Sequence, residues 1–495
     1  MDKKWYVLIS MCLLTVMLNI DVTALNIAIP VISHEFQASL SQMQWVVNAY
    51  VLMSAMLQIL GGKLGDAYGH RKIFLLGTAL FILSSIGAGF SFDAPMLIGF
   101  RVLQGISLGI AYPMTIVLAF ASFPKTQQGF ALSLIVGAMG LSLAIGPPIG
   151  GILVETAGWR WIFYVNVPIG IVAYVLAAAF CKKEKMEKTP PIDLKGASLL
   201  ILSLFGIVFS LNQAQDWGFG SPLFLSLFIG GILIGAVLYL AEKKAADPIV
   251  EFSLFKHRNF LFNNLIRLVV QLIFIPVLFF VPFYLQNISQ VPSLASGFAM
   301  MAMTVVIGVL SPIAGKWVDK IGDKIPTIAS MVLFLLGSLP FLFFRTEPNW
   351  LLLSAALALI GAGTAIAFVS TVTGALAPVP TSQQGVATGI VFTIAWLGCA
   401  LGIAISGAAI ALKSHAALLS HTAASDAAFR AARGLSPLSQ LGDPQMEAWA
   451  GSAFMEGLSL AALIWIGLSL FGFILALLQK KPPPKEKAHI DLLIP

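Results

Sequence analysis

The chain has 495 residues, of which 58% are hydrophobic and only 10% are charged. Soluble domains carry about a quarter charged residues, so this composition excludes an ordinary soluble protein and predicts a polytopic membrane protein. The net charge of +7 does not indicate nucleic-acid binding, because the basic residues stand in short segments between apolar runs, where a cytoplasmic membrane face requires them.

About fourteen apolar runs reach the length of about 20 residues that a membrane-spanning helix needs. They cover residues 6–31, 42–62, 73–92, 95–119, 128–151, 161–181, 194–213, 222–241, 259–287, 295–315, 326–345, 350–375, 384–411 and 452–479. The segments rich in lysine and arginine, such as those around Lys63, Lys125 and Lys316, fall on one side of these spans. The positive-inside rule makes that side cytoplasmic and places both termini there.

A charged, glycine-rich segment between two spans occurs twice. The four residues Gly62, Lys63, Asp66 and Gly69 recur at the same spacing as Gly315, Lys316, Asp319 and Gly322. A second pair of matching segments, Gln127-Gln128-Gly129 and Gln383-Gln384-Gly385, opens two later spans. This internal duplication predicts two membrane-embedded halves that rock around a central site, as in a carrier.

The duplication also predicts the domain organisation. Two bundles of six helices would cover residues 1–181 and 259–480, with a long, partly helical external loop over 412–451. Between them, residues 182–258 would form a linker with two extra spanning helices on the lipid-facing side, and residues 481–495 would form a cytoplasmic tail.

The repeated segment is a candidate conformational latch made of Gly62, Gly65, Asp66, Gly69 and Arg71. Glycines allow a sharp turn and a close approach of two backbones. The Asp66 carboxylate can face the N-terminus of the helix that opens at residues 381–383. Alternatively, it can pair with Arg71. A latch formed only in the outward-facing state would bias the conformational equilibrium. The alternative is a plain solvated turn.

Two charges fall inside spanning runs, Asp21 in the first and Arg101 in the fourth. Both lie in the outer half of the membrane, so they can pair directly or through Gln104 or water. Each embedded charge costs at least about 2.5 kcal/mol and is a functional hypothesis by default. Separation of the pair would let Asp21 take up a proton, because an arginine stabilises the carboxylate whereas burial disfavours it. The alternative is a structural ion pair.

Two further charges, Arg267 and Glu456, are weaker candidates. Each stands early in its apolar run, so we expect both side chains to lie near a membrane edge and to reach toward the polar interface.

The fifth run contains small residues and a pair of prolines, namely Gly146, Pro147, Pro148, Gly150 and Gly151. Small residues permit close helix contact, and prolines are expected to kink the outer end of the helix. The six histidines stand in loops or at helix ends, so no metal site or cofactor is expected and an enzyme is disfavoured. A channel is also disfavoured, because the sequence has no charged ring or filter-like repeat.

These segments resemble the major facilitator superfamily, and within it the fourteen-helix drug:proton antiporters. Residues 62–72 resemble its signature between helices two and three, 101–109 its helix-four motif, and 146–151 its antiporter motif. The helix-one string 21–30 and residues 159–170 are similar to the fourteen-helix branch specifically. The resemblance implies a major facilitator fold of two six-helix bundles plus two central helices.

The resemblance also implies the function, which is export of amphipathic compounds in exchange for protons across a bacterial cytoplasmic (inner) membrane. Asp21 would accept the proton, Arg101 would modulate it, and the proton gradient would supply the energy. The chain is expected to be a monomer, and a periplasmic adaptor with an outer-membrane channel is left open. Residues expected to face the substrate cavity, from their depth and polarity, are Asn26, Asn48, Tyr50, Gln58, Gln104, Tyr112 and Met114.

Substrate identity is open at this point. The second-last span holds no acidic residue, which favours neutral, zwitterionic or monovalent lipophilic compounds over divalent cations. A dedicated exporter or proton symporter of one metabolite or siderophore is the alternative transport function. A receptor or scaffold on the same fold is the alternative of another class.

Overall fold

The computed structural model describes residues 2–38, 40–183, 193–243, 248–418, 426–434 and 436–480. Within these ranges the chain is helical and contains no β-strand. Fourteen helical segments are long and apolar enough to cross a membrane. The predicted all-α polytopic fold is therefore confirmed.

The first part of the chain supplies six of these spans. They are α1 (Lys3–Phe36), α2 (Leu40–Tyr68), α3 (His70–Gly89), α4 (Ala94–Ser122), α5 (Gln128–Thr156) and a sixth span divided into α6 (Trp161–Tyr164) and α7 (Asn166–Phe180). Asp93 caps the start of α4 by accepting a hydrogen bond from the Met96 backbone N–H at 2.8 Å. Helix α1 packs on α5 and α7, and α4 packs on α2 and α3.

The middle of the chain forms an antiparallel pair, α8 (Leu194–Trp217) and α9 (Pro222–Glu242). The two helices approach closely, since a Cβ on Gly231 would meet the α8 backbone at 2.9 Å. Helix α8 also contacts α2 and α14, so it lies at the side where the two halves meet. Only 17% of the most apolar window of α9 is buried, which indicates that its surface faces lipid.

The last part of the chain supplies the remaining six spans and one short helix. They are α10 (Arg258–Phe283), α11 (Ser293–Ile321), α12 (Lys324–Ser338), α13 (Trp350–Leu376), α14 (Gln384–Leu418), the short α15 (Asp426–Ala431) and α16 (Pro444–Leu478). Helix α13 packs on α11 and α12, while α14 packs on α10 and α16. Contact between the first and last six spans runs mainly along α5 with α11 and α2 with α14.

The repeated charged segment is not the loop that the sequence predicts. Helix α2 continues to Tyr68 and α3 begins at His70, so Gly69 alone separates them. Gly69 has φ of +98°, and its repeat partner Gly322, which ends α11, has φ of +83°. These left-handed values favour glycine. One such residue reverses the chain, and therefore the charged residues before it remain helical.

The described part of the external segment 412–451 is largely helical. Helix α14 continues to Leu418, and α16 begins at Pro444. Asp443 caps α16 by accepting a hydrogen bond from the Gln445 backbone N–H at 2.9 Å. The short helix α15 and a 3-10 turn at Leu438–Leu441 lie between the two long helices.

At the end of α1 opposite the basic segments, the Glu35 carboxylate accepts a hydrogen bond from the Trp159 indole at 2.7 Å and pairs with Arg160 at 2.8 Å. The Trp159 hydrogen bond and then Arg160 lower the pKa of Glu35 from its usual 4.5, although partial burial opposes this. A lowered folded-state pKa contributes stability above 4.5 and loses it as pH falls through the lowered value.

We therefore expect Glu35→Gln to lower the melting temperature at neutral pH and to melt at the same temperature as the wild type once the pH is low enough to protonate Glu35. The pair is more than a third exposed, so the effect is under about 1 kcal/mol. Thermal unfolding of purified protein across pH measures it, with Glu155→Gln as an exposed control. A difference that stays constant down to the lowest pH would contradict this explanation.

Candidate functional site

A buried network of charged and polar side chains lies among α1, α4 and α7. Arg101 is 1% exposed, Asp21 is fully buried, and the Arg101 Nη1 donates to the Asp21 Oδ2. Nη1 also donates to the Gln104 Oε1 at 2.8 Å, and Nε donates to the Val46 carbonyl at 3.0 Å. The structure therefore brings together Asp21, Arg101 and Gln104, which the sequence placed at similar depth.

The network contains a residue that the sequence did not single out. Asn166, at the first position of α7, donates from Nδ2 to the Asp21 Oδ1 at 2.9 Å. Gln104 donates to the Ser85 hydroxyl at 2.8 Å, and the Arg101 guanidinium lies 4.3 Å from the centre of the Tyr50 ring. The signal in the sequence was the lone asparagine inside the sixth apolar run, which is polar but uncharged.

The network joins α1 and α4 through two opposite charges that are both buried. A buried ion pair is stable only when its remaining hydrogen-bonding groups are satisfied. Here Asn166 and Gln104 satisfy them. Separation of Arg101 from Asp21 would leave each charge buried without its counter-charge, which costs free energy. The ion pair therefore resists a rearrangement of α1 against α4.

At the opposite, basic end, two aspartates each bind the first backbone N–H groups of a helix in the other half. Asp66 accepts from Gly385 and Val386, both at 2.8 Å. Its repeat partner Asp319 accepts from Gly129 at 2.9 Å and from Phe130 at 2.7 Å. A helix N-terminus attracts a carboxylate because its N–H groups are free and the helix dipole is positive there.

The other predicted latch residues support this contact in different ways. A Cβ on Gly62 would overlap the Gly385 backbone, so glycine permits the two helices to touch. Gly65 similarly leaves room for Met114 and His70. His70 Nε2 lies 2.8 Å from the Asp66 Oδ1. Arg71 is not bonded to Asp66, the alternative that the sequence offered, but donates to the Ala178 carbonyl at 2.6 Å.

The glycines of the antiporter-like motif are not equivalent. A Cβ on Gly146 would overlap Thr23, and a Cβ on Gly150 would meet the Ala24 backbone at 2.7 Å, so both allow α5 to lie against α1. Gly151 has open space around it. Helix α5 remains helical through Pro147 and Pro148, so the prolines do not end it.

We expect Gly150→Ala to reduce transport and thermal stability, whereas Gly151→Ala leaves both close to wild type. Overpacking a tight contact costs about 1–3 kcal/mol, and here it would push α1, which carries Asp21, away from α5. Thermal unfolding and transport by the two purified variants measure the difference. Equal behaviour of the two variants would show that the α1–α5 contact does not set the geometry of the network.

A small internal cavity of about 20 Å³ lies between the halves, toward the basic end. It is lined by Tyr112, Ile116, Leu132, Ile135, Val136, Met139, Arg267, Phe368, Val372 and Phe392. The Tyr112 and Phe392 rings, one from each half, lie 4.7 Å apart. A larger hollow of about 710 Å³, lined mainly by apolar side chains, lies among α8, α10, α14 and α16.

Of the described residues that were predicted to face the substrate cavity, Tyr112 alone lines the small internal cavity. Tyr50 and Gln58 are buried, and their Oη and amide atoms make no hydrogen bond within the described chain. Asn48 is half-buried, and the side chain of Asn26 lies outside the described residues. Met114 is fully buried and packs against Gly65.

The interpretation of Arg267 as an edge residue is wrong, whereas Glu456 is exposed and pairs with a lysine. Arg267 is 4% exposed and its guanidinium lies 3.6 Å from the centre of the Phe368 ring. Glu456 is 53% exposed and pairs with Lys413 at 3.5 Å. Among the described residues, no group of His, Cys, Asp and Glu is arranged to hold a metal ion.

A family model described as Major Facilitator Superfamily matches residues 11–403. The chain is 28% identical over its whole length to the tetracenomycin C resistance and export protein of Streptomyces glaucescens, 95% of which is covered. It is 31% identical over 82% of its length to the riboflavin transporter RibZ of Clostridioides difficile, 88% of which is covered.

A third relative is the multidrug resistance protein Stp of Mycobacterium tuberculosis, which is 27% identical over 82% of this chain and 75% of that protein. Two of the three relatives are named for drug resistance, which confirms the predicted resemblance to drug exporters. Together with the two halves, the fourteen spans and the reciprocal aspartate contacts, these matches show that the chain belongs to the Major Facilitator Superfamily.

Proposed function

We propose that the chain exports amphipathic compounds in exchange for protons, by alternating access, across a bacterial cytoplasmic membrane. The observation that carries this proposal is the Asp21–Arg101 pair, fully buried inside two spanning helices and satisfied by neutral partners. A scaffold protein on the same fold would not need these charges, because a charge embedded in the membrane is costly. The proton gradient would be the energy source, and no cofactor would be needed.

The two aspartate contacts at the basic end support alternating access. The positive-inside rule makes this end cytoplasmic, so the structure corresponds to a state closed toward the cytoplasm. The four hydrogen bonds that Asp66 and Asp319 make would have to break before a substrate could enter from that side. Rocking of one half against the other would break both contacts together.

Proton uptake at Asp21 would be the event that links the two processes. Asp21 and Arg101 lie toward the end opposite the latches, where the outward-facing state would give protons access from outside. A neutral Asp21 would no longer hold the Arg101 guanidinium by charge attraction, which would free α4 to shift relative to α1. Return to the inward-facing state would release the proton into the cytoplasm.

The function is tested in everted membrane vesicles that hold an imposed proton gradient and a pH-sensitive dye. Addition of a lipophilic drug is expected to release protons from vesicles that contain the protein and not from vesicles of the empty host. Proton release by a panel of unrelated drugs would support multidrug export. Absence of release with every compound would reject drug:proton exchange.

A second candidate is a dedicated transporter of one metabolite, either an exporter or a proton symporter. The observation that favours it is the likeness to proteins named for a single compound, tetracenomycin C and riboflavin. Proton release with one compound and no other would support the exporter, and proton uptake into the compartment that takes up the compound would support the symporter.

A further inference from the structure

Arg267 is a buried cation that has no carboxylate partner among the residues that the structure describes. It lies in α10, nine residues after Arg258, which is about 13 Å from the basic end of the helix at 1.5 Å per residue. Its Nε and Nη1 atoms are buried and make no hydrogen bond. The ionisable side chains that interact with it are Tyr112 and Cys399, a phenol and a thiol rather than carboxylates.

The contrast with Arg101 shows what is missing. Arg101 donates to a carboxylate, an amide and a backbone carbonyl, whereas Arg267 Nε and Nη1 make no hydrogen bond within the described part of the chain. The side-chain oxygens of Asn264 and Gln271, one helical turn to either side, are also buried without a partner and do not accept from it. A guanidinium stays charged, so the Nε and Nη1 donors remain available to an acceptor that the described residues do not supply.

The Phe368 ring stabilises the guanidinium in part. Its centre lies 3.6 Å from the Arg267 Cζ, and a cation over an aromatic face is attracted by the ring. This contact covers one face of the planar group and leaves the N–H groups at its edge unused. An anion bound at that edge would complete the charge balance with short, charge-assisted hydrogen bonds.

The position of Arg267 is suited to a transported ligand. It lines the cavity between the halves together with Tyr112, Met139, Phe368 and Phe392. In the closed state this cavity of about 20 Å³ has room for about one water molecule. Because its walls come from both halves, separation of the halves at the basic end would widen it and expose Arg267 to the cytoplasmic side. Aromatic and methionine side chains would then contact a flat, apolar body.

We propose that Arg267 binds the acidic group of the exported compound, so that the preferred substrates are aromatic amphiphiles with a carboxylate or a comparable anionic group. This deepens the proposed function, on which it rests, and it narrows the expectation of neutral, zwitterionic or monovalent lipophilic substrates to those that carry an anionic group. The bidentate geometry of a guanidinium favours a planar carboxylate over a spherical anion.

The test measures binding of two fluorescent probes, pyrenebutyrate and the neutral pyrenebutanol, to purified full-length protein in nanodiscs. The wild type is expected to bind the carboxylate roughly 10–100-fold more tightly than the alcohol, the range of one charge-assisted hydrogen bond. Arg267→Gln should bind both probes equally, at the affinity that the wild type has for the alcohol. Arg267→Lys should keep part of the preference, because it keeps the charge but not the planar donor pair.

Arg258→Gln is the matched control, since Arg258 also lies over a phenylalanine ring, at 5.2 Å from Phe262, but is exposed near the start of the same helix. This variant should keep the full preference for the carboxylate. Thermal unfolding identifies any variant that does not fold, and Arg267→Met then replaces Arg267→Gln. Equal binding of the two probes by the wild type, or an undiminished preference in Arg267→Gln and Arg267→Met, would overturn the proposal.

Two further arms distinguish an inorganic anion from a carboxylate substrate, and carboxylate binding from proton exchange. In the first arm, the melting temperature is compared in chloride and in gluconate. If chloride stabilises the wild type but not Arg267→Gln, and the two probes bind equally, the site binds an inorganic anion and the proposal is overturned. Arg267-dependent carboxylate binding without proton release in vesicles would retain this site and reject proton exchange. Proton release with drugs but without a carboxylate preference would retain proton exchange and reject this site.

Discussion

Replacement of Asp21 by asparagine is expected to abolish drug-triggered proton release while the protein still folds and binds its substrate. Asparagine has nearly the same shape and can still accept from Asn166, but it cannot carry a proton. Accumulation against a gradient should therefore fall to the background of the empty host, whereas exchange of substrate for substrate should persist. Everted vesicles and proteoliposomes measure the two activities.

The Asp21→Asn variant has a structural consequence that a second variant can control. It leaves Arg101 buried without its counter-charge, and breaking a buried ion pair on one side costs about 3–5 kcal/mol. We expect a lower melting temperature, which the double variant Asp21→Asn with Arg101→Gln should largely restore. The double variant should nevertheless remain unable to couple protons, because stability and proton exchange are separate properties of the pair.

Glu456 provides the matched carboxylate control. It is 53% exposed and pairs with Lys413, so Glu456→Gln should retain proton release. Proton release that survives in Asp21→Asn and disappears in Glu456→Gln would move the proton site to the last span. That outcome would also leave the buried Asp21–Arg101 pair as a structural ion pair, the alternative that the sequence left open.

Removal of both Asp66 and Asp319 is expected to shift the protein from the state closed at the basic end toward the open state. Each carboxylate makes two hydrogen bonds to backbone N–H groups across the halves, at 2.7–2.9 Å. A hydrogen bond to a charged group contributes about 1.5–3 kcal/mol, so one alanine substitution should change the closed-to-open ratio by at least about 10-fold. Transport should fall in proportion, because the closed state becomes rare.

Spin labels at the exposed positions Thr126 and Lys320 report this equilibrium, one from each half at the basic end. The background would lack the three native cysteines, Cys12, Cys181 and Cys399. A short distance should dominate without the aspartate substitutions, and a longer one should dominate in Asp66→Ala with Asp319→Ala.

Asp93→Ala is the control for this experiment, because Asp93 caps α4 within a single half. Its distance distribution should match that of the unsubstituted background. An unchanged distribution in the double alanine variant would show that the aspartates are surface contacts and do not determine the conformational equilibrium.

The sequence predicted the spans and the pairing of the latch, for physical reasons that the structure makes clear. A long apolar run can cross a membrane only in a few backbone conformations, so the spans follow from length and hydropathy alone. Asp66 and Asp319 were recognised because the duplication repeats them at the same spacing, and symmetry then requires two equivalent contacts across the halves. The helix that Asp66 would meet could be named because its own start was repeated as well.

The sequence did not reveal which charges are paired. Arg267 stands near the start of an apolar run and was interpreted as an edge residue, but α10 begins at Arg258, and the helical rise places Arg267 about 13 Å further in. Its neighbours Phe368 and Tyr112 come from helices distant in sequence, so the missing counter-charge becomes visible only in the packed structure. Asn166 was missed for the same reason, because its partner Asp21 lies 145 residues earlier.

The most direct measurement of the central claim uses purified protein in liposomes on a solid-supported membrane, with no other protein present. An acidic compound that the pyrene test identifies as a ligand is added while the proton current is recorded. A transient current that reverses when the pH gradient is reversed, and that is absent in Asp21→Asn, is the predicted result. Movement of the compound across the membrane without any current or pH change would contradict proton exchange as the function of this chain.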